Sequence, residues 1–468
     1  MGTPLVIEFA QHRSTDVARI VVTGEARLGH SWVLCVALSI SACHGGDFQG
    51  AGAPCGPNLP CRPFFSCVDG SCRPAPDTSS GDADPPDTAG DTNDGGLPSG
   101  CSTTITDLSA LLGTRVRGRL EVVVTTNPTI ERLATVTPRD WFVLLQREGQ
   151  HWTMRDLTAD SAGAKNPDGP CFDPTVAAVG NFGTRINGDL HIEFWNALGT
   201  TGEFLSFLRI AGQPWSCLDV SSIAQQRIRG APVDVTNGSM ALGPEHRALL
   251  FRFGGFPPLG DGWKVRDSIG SALVGSFAEW HSPSGGESLA GLRDDGTIAV
   301  FRLRPEMPDT WVEDSAVVNG TPMRGDVIAW KSRSVENLAA TSESRHLFVF
   351  SHSEGSDWKA TDVTLLDGET AQGRPARHEI MDGMAIEEAI AARNEAGQLI
   401  YHHRDAQGKW RAFDVSCAAR GEELVFGDPA GWAARDAAGA AVEALAAEGS
   451  DGRLLLFEGF AKLRSSSK

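Results

Sequence analysis

The chain has 468 residues, 41% of them hydrophobic and 21% charged, so it carries enough apolar side chain for a large folded region. Its formal net charge of -18 argues against a nucleic-acid partner, because phosphate recognition needs clustered Lys and Arg. Ten cysteines point to an oxidising compartment.

Residues 1–42 read as an export signal. An apolar run at residues 32–41 follows Arg27 and ends in small side chains. It is shorter than the ~20 residues a membrane span requires, and it fits the core of a secretory signal. The polar stretch at residues 1–26 places that run late, as an initiator at Val22 would explain. Ile40-Ser41-Ala42-Cys43 resembles the bacterial lipobox. The resemblance implies cleavage before Cys43 and acylation of that residue, and several acyl chains give stable anchoring. His44 in place of Asp implies outer-membrane sorting. The expected location is therefore an outer-membrane lipoprotein of a Gram-negative bacterium, touching the membrane through its lipid alone.

Residues 43–72 hold Cys55, Cys61, Cys67 and Cys72. Their spacing lacks the C-x2-C pairs of a zinc site and reads as two disulfides in a small loop-rich staple. Residues 73–100 are dominated by Pro, Asp, Gly, Ser and Thr, with Leu97 the only large apolar side chain. Such a segment cannot bury enough surface to fold, and its acidic self-repulsion extends it into a tether.

Residues 101–468 are a repeat. Trp152/Asp156, Trp215/Asp219, Trp263/Asp267, Trp311/Asp314, Trp358/Asp362 and Trp410/Asp414 recur at steps of 63, 48, 48, 47 and 52. Each pair follows an apolar run, such as residues 142–145 or 347–350, which reads as a strand covered on both faces. A second short strand precedes most runs, with Leu-Ala or Ile-Ala at its centre and a turn signal such as Asp295-Gly296 after it. Four short strands per unit of this length predict a β-propeller. Trp is expected to pack toward a neighbouring blade, with Asp at a strand end bonding turn backbone.

The apolar run occurs seven times and the Trp six. The last run ends near Phe457 with no Trp strand after it, whereas residues 103–109, centred on Asp107, match the missing strand. Seven blades are predicted, the last completed by residues 102–109; six blades is the alternative. The remaining cysteines, Cys101, Cys171, Cys217 and Cys417, allow three disulfide pairings.

No nucleophile elbow, P-loop or H-E-x-x-H motif is present. His402 and His403 are adjacent on a predicted strand and point to opposite faces, so no metal site is expected, and no cofactor. Glu193, Trp195, Trp280, Trp330 and Trp432 lie outside the Trp-Asp motif and are candidate ligand-stacking or polar contacts, against a bland reading as packing between blades. Gly452-Arg-Leu454 and Trp152-x3-Asp156-Leu-Thr resemble the fucose-binding and related propeller lectins. The resemblance implies sugar sites between blades, but the Glu of that family's strand is replaced at Val300, Val349, Tyr401 and Leu456, so the fucose site does not carry over. The expected function is a non-enzymatic module recognising carbohydrate or protein; a hydrolase or lyase on the same scaffold and an envelope scaffold are the alternatives.

Overall fold

A computed structural model describes residues 65–68, 71–74 and, with gaps in some loops, residues 101–460. The lipobox, Cys43, Cys55 and Cys61, and residues 75–100 of the 73–100 tether lie outside the described residues, while Arg73 and Pro74 end a strand. In the N-terminal unit, Phe65–Val68 and Ser71–Pro74 form a two-stranded sheet. Cys67 and Cys72 lie on those strands, and their side chains are outside the description.

The larger unit is a ring of seven four-stranded antiparallel sheets. Blade 1 consists of Arg117–Thr126, Thr129–Val136, Phe142–Glu148 and His151–Asp156. Blades 2 to 6 span residues 176–219, 233–269, 273–317, 323–362 and 372–414. Blade 7 takes three strands from the C-terminal end, Ala430–Arg435, Ala441–Glu448 and Leu454–Glu458, and its fourth, Thr104–Asp107, precedes blade 1 in the chain. Ile105 stands opposite Phe457, and Asp107 opposite Leu455. The first strands of successive blades touch all the way round, including those of blades 7 and 1, so the ring has no open edge.

Sequence accounts for the layers. Third strands such as Leu347–Phe350 are continuous apolar runs because both faces are covered; Leu347, Val349 and Phe350 are almost fully buried. On the second strands, Ala134, Ala241, Ala290, Ala339, Ala391 and Ala446 are all wholly buried, and their small side chains admit the next sheet. Fourth-strand tryptophans pack backward onto the preceding blade. Trp215 joins Ala134, Leu144 and Leu157 of the blade 1 side, and Trp410 joins Leu347, Val349 and Val363 of the blade 5 side.

In four blades the Asp of the motif bonds turn backbone as expected. Asp219 Oδ1 accepts from Ser222 N at 2.9 Å and caps Val220–Ala224; Asp156, Asp362 and Asp107 likewise accept from backbone N–H groups two or three residues on. The next residue, Leu108, Leu157, Val220, Val363 or Val415, plugs the core. The hydroxyl after it reaches back to the third strand: Ser221 accepts from Phe204 N, Thr364 from Leu347 N, Ser416 from Leu399 N and Ser109 from Leu454 N, at 2.7–3.0 Å. Asp-Leu/Val-Ser/Thr is thus a strand-end lock in three parts.

Three aspartates depart from the expected role. Asp414 stands at the strand end of blade 6, but it bonds side chains rather than turn backbone. Ser416 Oγ donates to its Oδ1 at 2.6 Å and Gln398 Nε2 to its Oδ2 at 2.8 Å. The turn it opens, Val415–Ala418, is a 3-10 turn without a side-chain cap, so Asp414 fixes the Ser416 hydroxyl instead of an N–H group. Asp267 of blade 3 does not end its strand at all. Trp263–Ile269 runs two residues past it, and Asp267 sits opposite Leu249, beside a register shift between Ala248 and Leu249. The side chains of Trp263 and Asp267 lie outside the described residues. Blade 4 is similar: its strand runs on to Val317, and Asp314 pairs with Arg302 at 2.8 Å instead of capping a turn. The reason is shared. Asp267 and Asp314 are each followed by Ser, not by Leu or Val, so no apolar plug draws the chain inward and the strand continues. Asp219→Ala should cost about 1 kcal/mol, measurable by denaturant unfolding, while Asp314→Ala, at an exposed pair, should cost less.

Two disulfides select one of the three pairings: Cys101–Cys417 and Cys171–Cys217. The first ties the entry of the closing strand to the turn after blade 6.

Candidate functional site

The seven first strands surround a central channel holding a cavity of about 230 Å³. Each blade brings a glycine to its start: Gly118, Gly180, Gly230, Gly275, Gly325, Gly373 and Gly427. At Gly275 and Gly373 the backbone is left-handed, with φ of 75° and 72°, and a methyl group would collide with Asp326 or Asp428 of the next blade. Those carboxylates accept instead from the following N–H groups, Ser276 N to Asp326 at 2.8 Å and Arg374 N to Asp428 at 2.9 Å.

The residue after each glycine therefore forms a ring around one mouth of the channel. In blades 5, 6, 7 and 1 these residues alternate in charge: Asp326, Arg374, Asp428 and Arg119. Glu121 pairs with Arg119 and, at 3.2 Å, with Arg374; Arg119 also approaches Asp326 at 3.8 Å. Burial, with Arg119 close by, holds the Arg374 guanidinium below its ordinary range, and burial raises the Asp428 carboxyl. Each of Glu121, Asp326 and Asp428 already accepts from an arginine or a backbone N–H, so the ring is occupied with itself.

Glu279 also lines the channel. Burial, then the carboxylates of Glu287 and Asp234, push its pKa up to about 8. Beside the burial, the two neighbouring acids reflect a broken pattern. Glu131, Glu287, Glu336, Glu388 and Glu443 share one place on their second strands, each two residues before Leu-Ala or Ile-Ala. Trp280 Nε1 of blade 4 donates to Glu336 of blade 5 at 3.0 Å, and Trp432 Nε1 of blade 7 donates to Glu131 of blade 1 at 2.9 Å. The blade facing Glu287 carries Asp234 where blades 4, 5 and 7 carry Trp, so an acid meets an acid.

The candidate tryptophans belong to this junction. Trp280, Trp330 and Trp432 occupy the same first-strand place and are 3–4% exposed, and Trp195 is fully buried on the second strand of blade 2. None offers a surface stacking face. Glu193 is 9% exposed and held by Arg132 at 3.2 Å and by Arg209. Val300, Val349, Tyr401 and Leu456 are almost fully buried, so their side chains are not available at the surface to contact a sugar. At Glu336, burial would raise the carboxyl, but Arg302 and Trp280 outweigh it and hold it below the usual range. His352 completes the set at 2.9 Å. Glu336→Ala should cost about 3 kcal/mol by leaving buried Trp280 Nε1 without its acceptor and Arg302 with Asp314 as its remaining carboxylate, read from urea midpoints.

His402 and His403 face opposite ways: His402 Nδ1 meets Asp367 at 2.7 Å, while His403 sits against Phe413. Among the described residues, no group of three His, Cys, Asp or Glu is placed to hold a metal ion.

A second concavity opens at the junction of blades 5 and 6, with a volume of about 390 Å³. Arg324, Arg345, Gln372 and Arg393 line it, with Glu343. Neither this cleft nor the glycine ring was visible in the repeat of Trp and Asp. The glycines could have been found, because one falls 11 to 15 residues before the second-strand Glu position in blades such as 1, 4, 5 and 6.

The ring defines the chain's class as a seven-bladed β-propeller. No family model and no curated protein sequence matches it. Among solved structures it is similar to the BP39L lectin from Burkholderia pseudomallei, with a TM-score of 0.51 and 11% identity over 74% of this chain and 98% of that one. It is also similar to AofleA from Arthrobotrys oligospora (TM-score 0.44, 12% identity, 67% and 89% covered). A third is the six-bladed fucose-recognising lectin of Aleuria aurantia (TM-score 0.38, 9% identity, 63% and 93% covered). At these identities the likeness concerns fold.

Proposed function

We propose that this protein is a cell-envelope lipoprotein whose propeller is a non-enzymatic carbohydrate-binding module. The observation that carries the reading is the open cleft at the blade 5–6 junction, which is concave, polar and of ligand size. Three of the channel carboxylates support binding over chemistry, since Glu121, Asp326 and Asp428 are engaged by arginines or backbone N–H groups. The lectin-like fold of the neighbours agrees with this reading and does not by itself establish it. The two disulfides are compatible with export.

A glycan array probed with the full exported chain tests the module; binding to no glycan, with a protein captured instead, would replace carbohydrate by a protein ligand. Labelled palmitate tests the anchor, with incorporation expected in the parent and lost in Cys43→Ser. A glycan hydrolase is the second reading, favoured by Glu279, whose raised pKa would keep it protonated as an acid near neutrality. Release of sugar from an array ligand, abolished in Glu279→Gln, would establish it.

A further inference from the structure

We propose that the blade 5–6 cleft binds a carboxylate-bearing saccharide through Arg324, Gln372 and Arg393. This rests on the carbohydrate-binding reading and narrows its ligand class. The cleft, of about 390 Å³, has room for a sugar ring. Its floor is fixed: the Thr341 hydroxyl lies 3.1 Å from Arg324 O and 2.7 Å from Gly373 O, joining the two first strands. The lining side chains differ in how far protein groups already answer them. Arg345 is paired with Glu395. Arg393 lies over the Phe426 ring, 5.6 Å from its centre, and feels Asp428 and Glu448 from the channel side, yet its buried Nε has no hydrogen-bond partner. The Arg324 guanidinium is exposed, and neither it nor the Gln372 amide has a side-chain partner among the described residues.

The Arg324 guanidinium and the Gln372 amide thus offer unspent N–H donors to one concavity, with the Arg393 guanidinium adding positive charge to its wall. In a protein of net charge -18, such a place selects an anion by local contacts, because the overall field repels one. The planar guanidinium fork matches a carboxylate. Glu343 on the same wall would repel a multiply charged phosphate but accepts hydrogen bonds from sugar hydroxyls. One carboxylate on a hydroxylated ring satisfies both signs.

The test is calorimetry and saturation-transfer NMR on the full exported chain, with glucuronate and galacturonate as probes and glucose as the neutral control. Uronate binding is expected to weaken about tenfold or more in Arg324→Ala and with rising salt, with glucose much weaker. Arg324→Lys, which keeps charge but loses the fork, should fall between. Arg324 is exposed, so an unchanged melting temperature will show the variant folded. Equal binding of glucose and uronate, or uronate affinity unchanged in Arg324→Ala, overturns the cleft assignment. If other glycans still bind, the module stands without this site; if no saccharide binds at all, both readings fall.

Discussion

Removing residues 101–108 should lower the melting temperature of the propeller by on the order of 10 °C, and the loss should begin in blade 7. The segment contributes the outer strand of that blade, covering Leu455 and Phe457, which are 1% and 0% exposed. It also carries one half of the Cys101–Cys417 link, whose sequence separation is 316 residues. In the chain-entropy treatment, closing a loop of that length restrains the unfolded chain by about 5–6 kcal/mol. Against a unit of this size, each kcal/mol moves the midpoint by roughly 2 °C. Calorimetry on the truncated and parent chains measures the effect, and hydrogen exchange locates it: amides of Leu454–Glu458 should exchange first. Cys101→Ser with Cys417→Ser separates the two contributions, since it removes the link and keeps the strand. A truncated chain that melts with the parent would show that blade 7 stands on three strands.

Glu279→Gln should stabilise the protein at pH 8 by up to about 4 kcal/mol and leave it little changed at pH 4.5. The sign follows from proton counting. Glu279 titrates at about 8 when folded, against an ordinary value of 4.5. Between those values the folded chain holds a proton that the unfolded chain has released, so stability falls as pH rises through the window and levels off above it. The ceiling is the shift converted at about 1.4 kcal/mol per pH unit, reduced by whatever solvent reaches the channel. Other carboxylates titrate too; Glu203 and Glu336 are lowered on folding and lose stability in the opposite direction, as pH falls. The difference between parent and variant, taken at each pH from urea unfolding, isolates Glu279. A flat difference across pH 4.5–8 would show that neither burial nor the carboxylates of Glu287 and Asp234 raise it.

The ring was legible because two of its devices are loud in sequence. Continuous apolar third strands occur once per blade, and Asp-Leu/Val-Ser/Thr marks five strand ends with a fixed chemistry. The closing strand could be found because Asp107-Leu108-Ser109 keeps that chemistry after its Trp has gone to Thr103, which is itself 7% exposed. The Trp-Asp spacing alone was a weaker guide. Asp267 keeps it and Asp314 falls one residue short of it, both without the Leu or Val that makes the lock, and their strands run on. The disulfide pairing was not legible, since it depends on which blade ends meet in space. The polar partners of the candidate tryptophans were not legible for a related reason. Trp280 and Trp432 look unattached in sequence, and their partners, Glu336 and Glu131, are 56 and 301 residues away. The blade 5–6 cleft was invisible because it is defined by arginines whose donors are left unmet, and an unmet charge leaves no periodic trace.

The place where the closing strand begins also decides how the ring meets mechanical load. Any pull transmitted along the chain from residues before 101 enters at Cys101 and divides there. One branch runs through four backbone partners between Thr104–Asp107 and the strand ending at Glu458; the other passes covalently into the turn holding Cys417, after blade 6. While the sulfur bond is intact, the hydrogen-bonded strand is shielded and the load reaches a neighbouring blade directly. Once the bond is reduced, the same pull falls on a short strand at the rim, and the ring would open like a clasp.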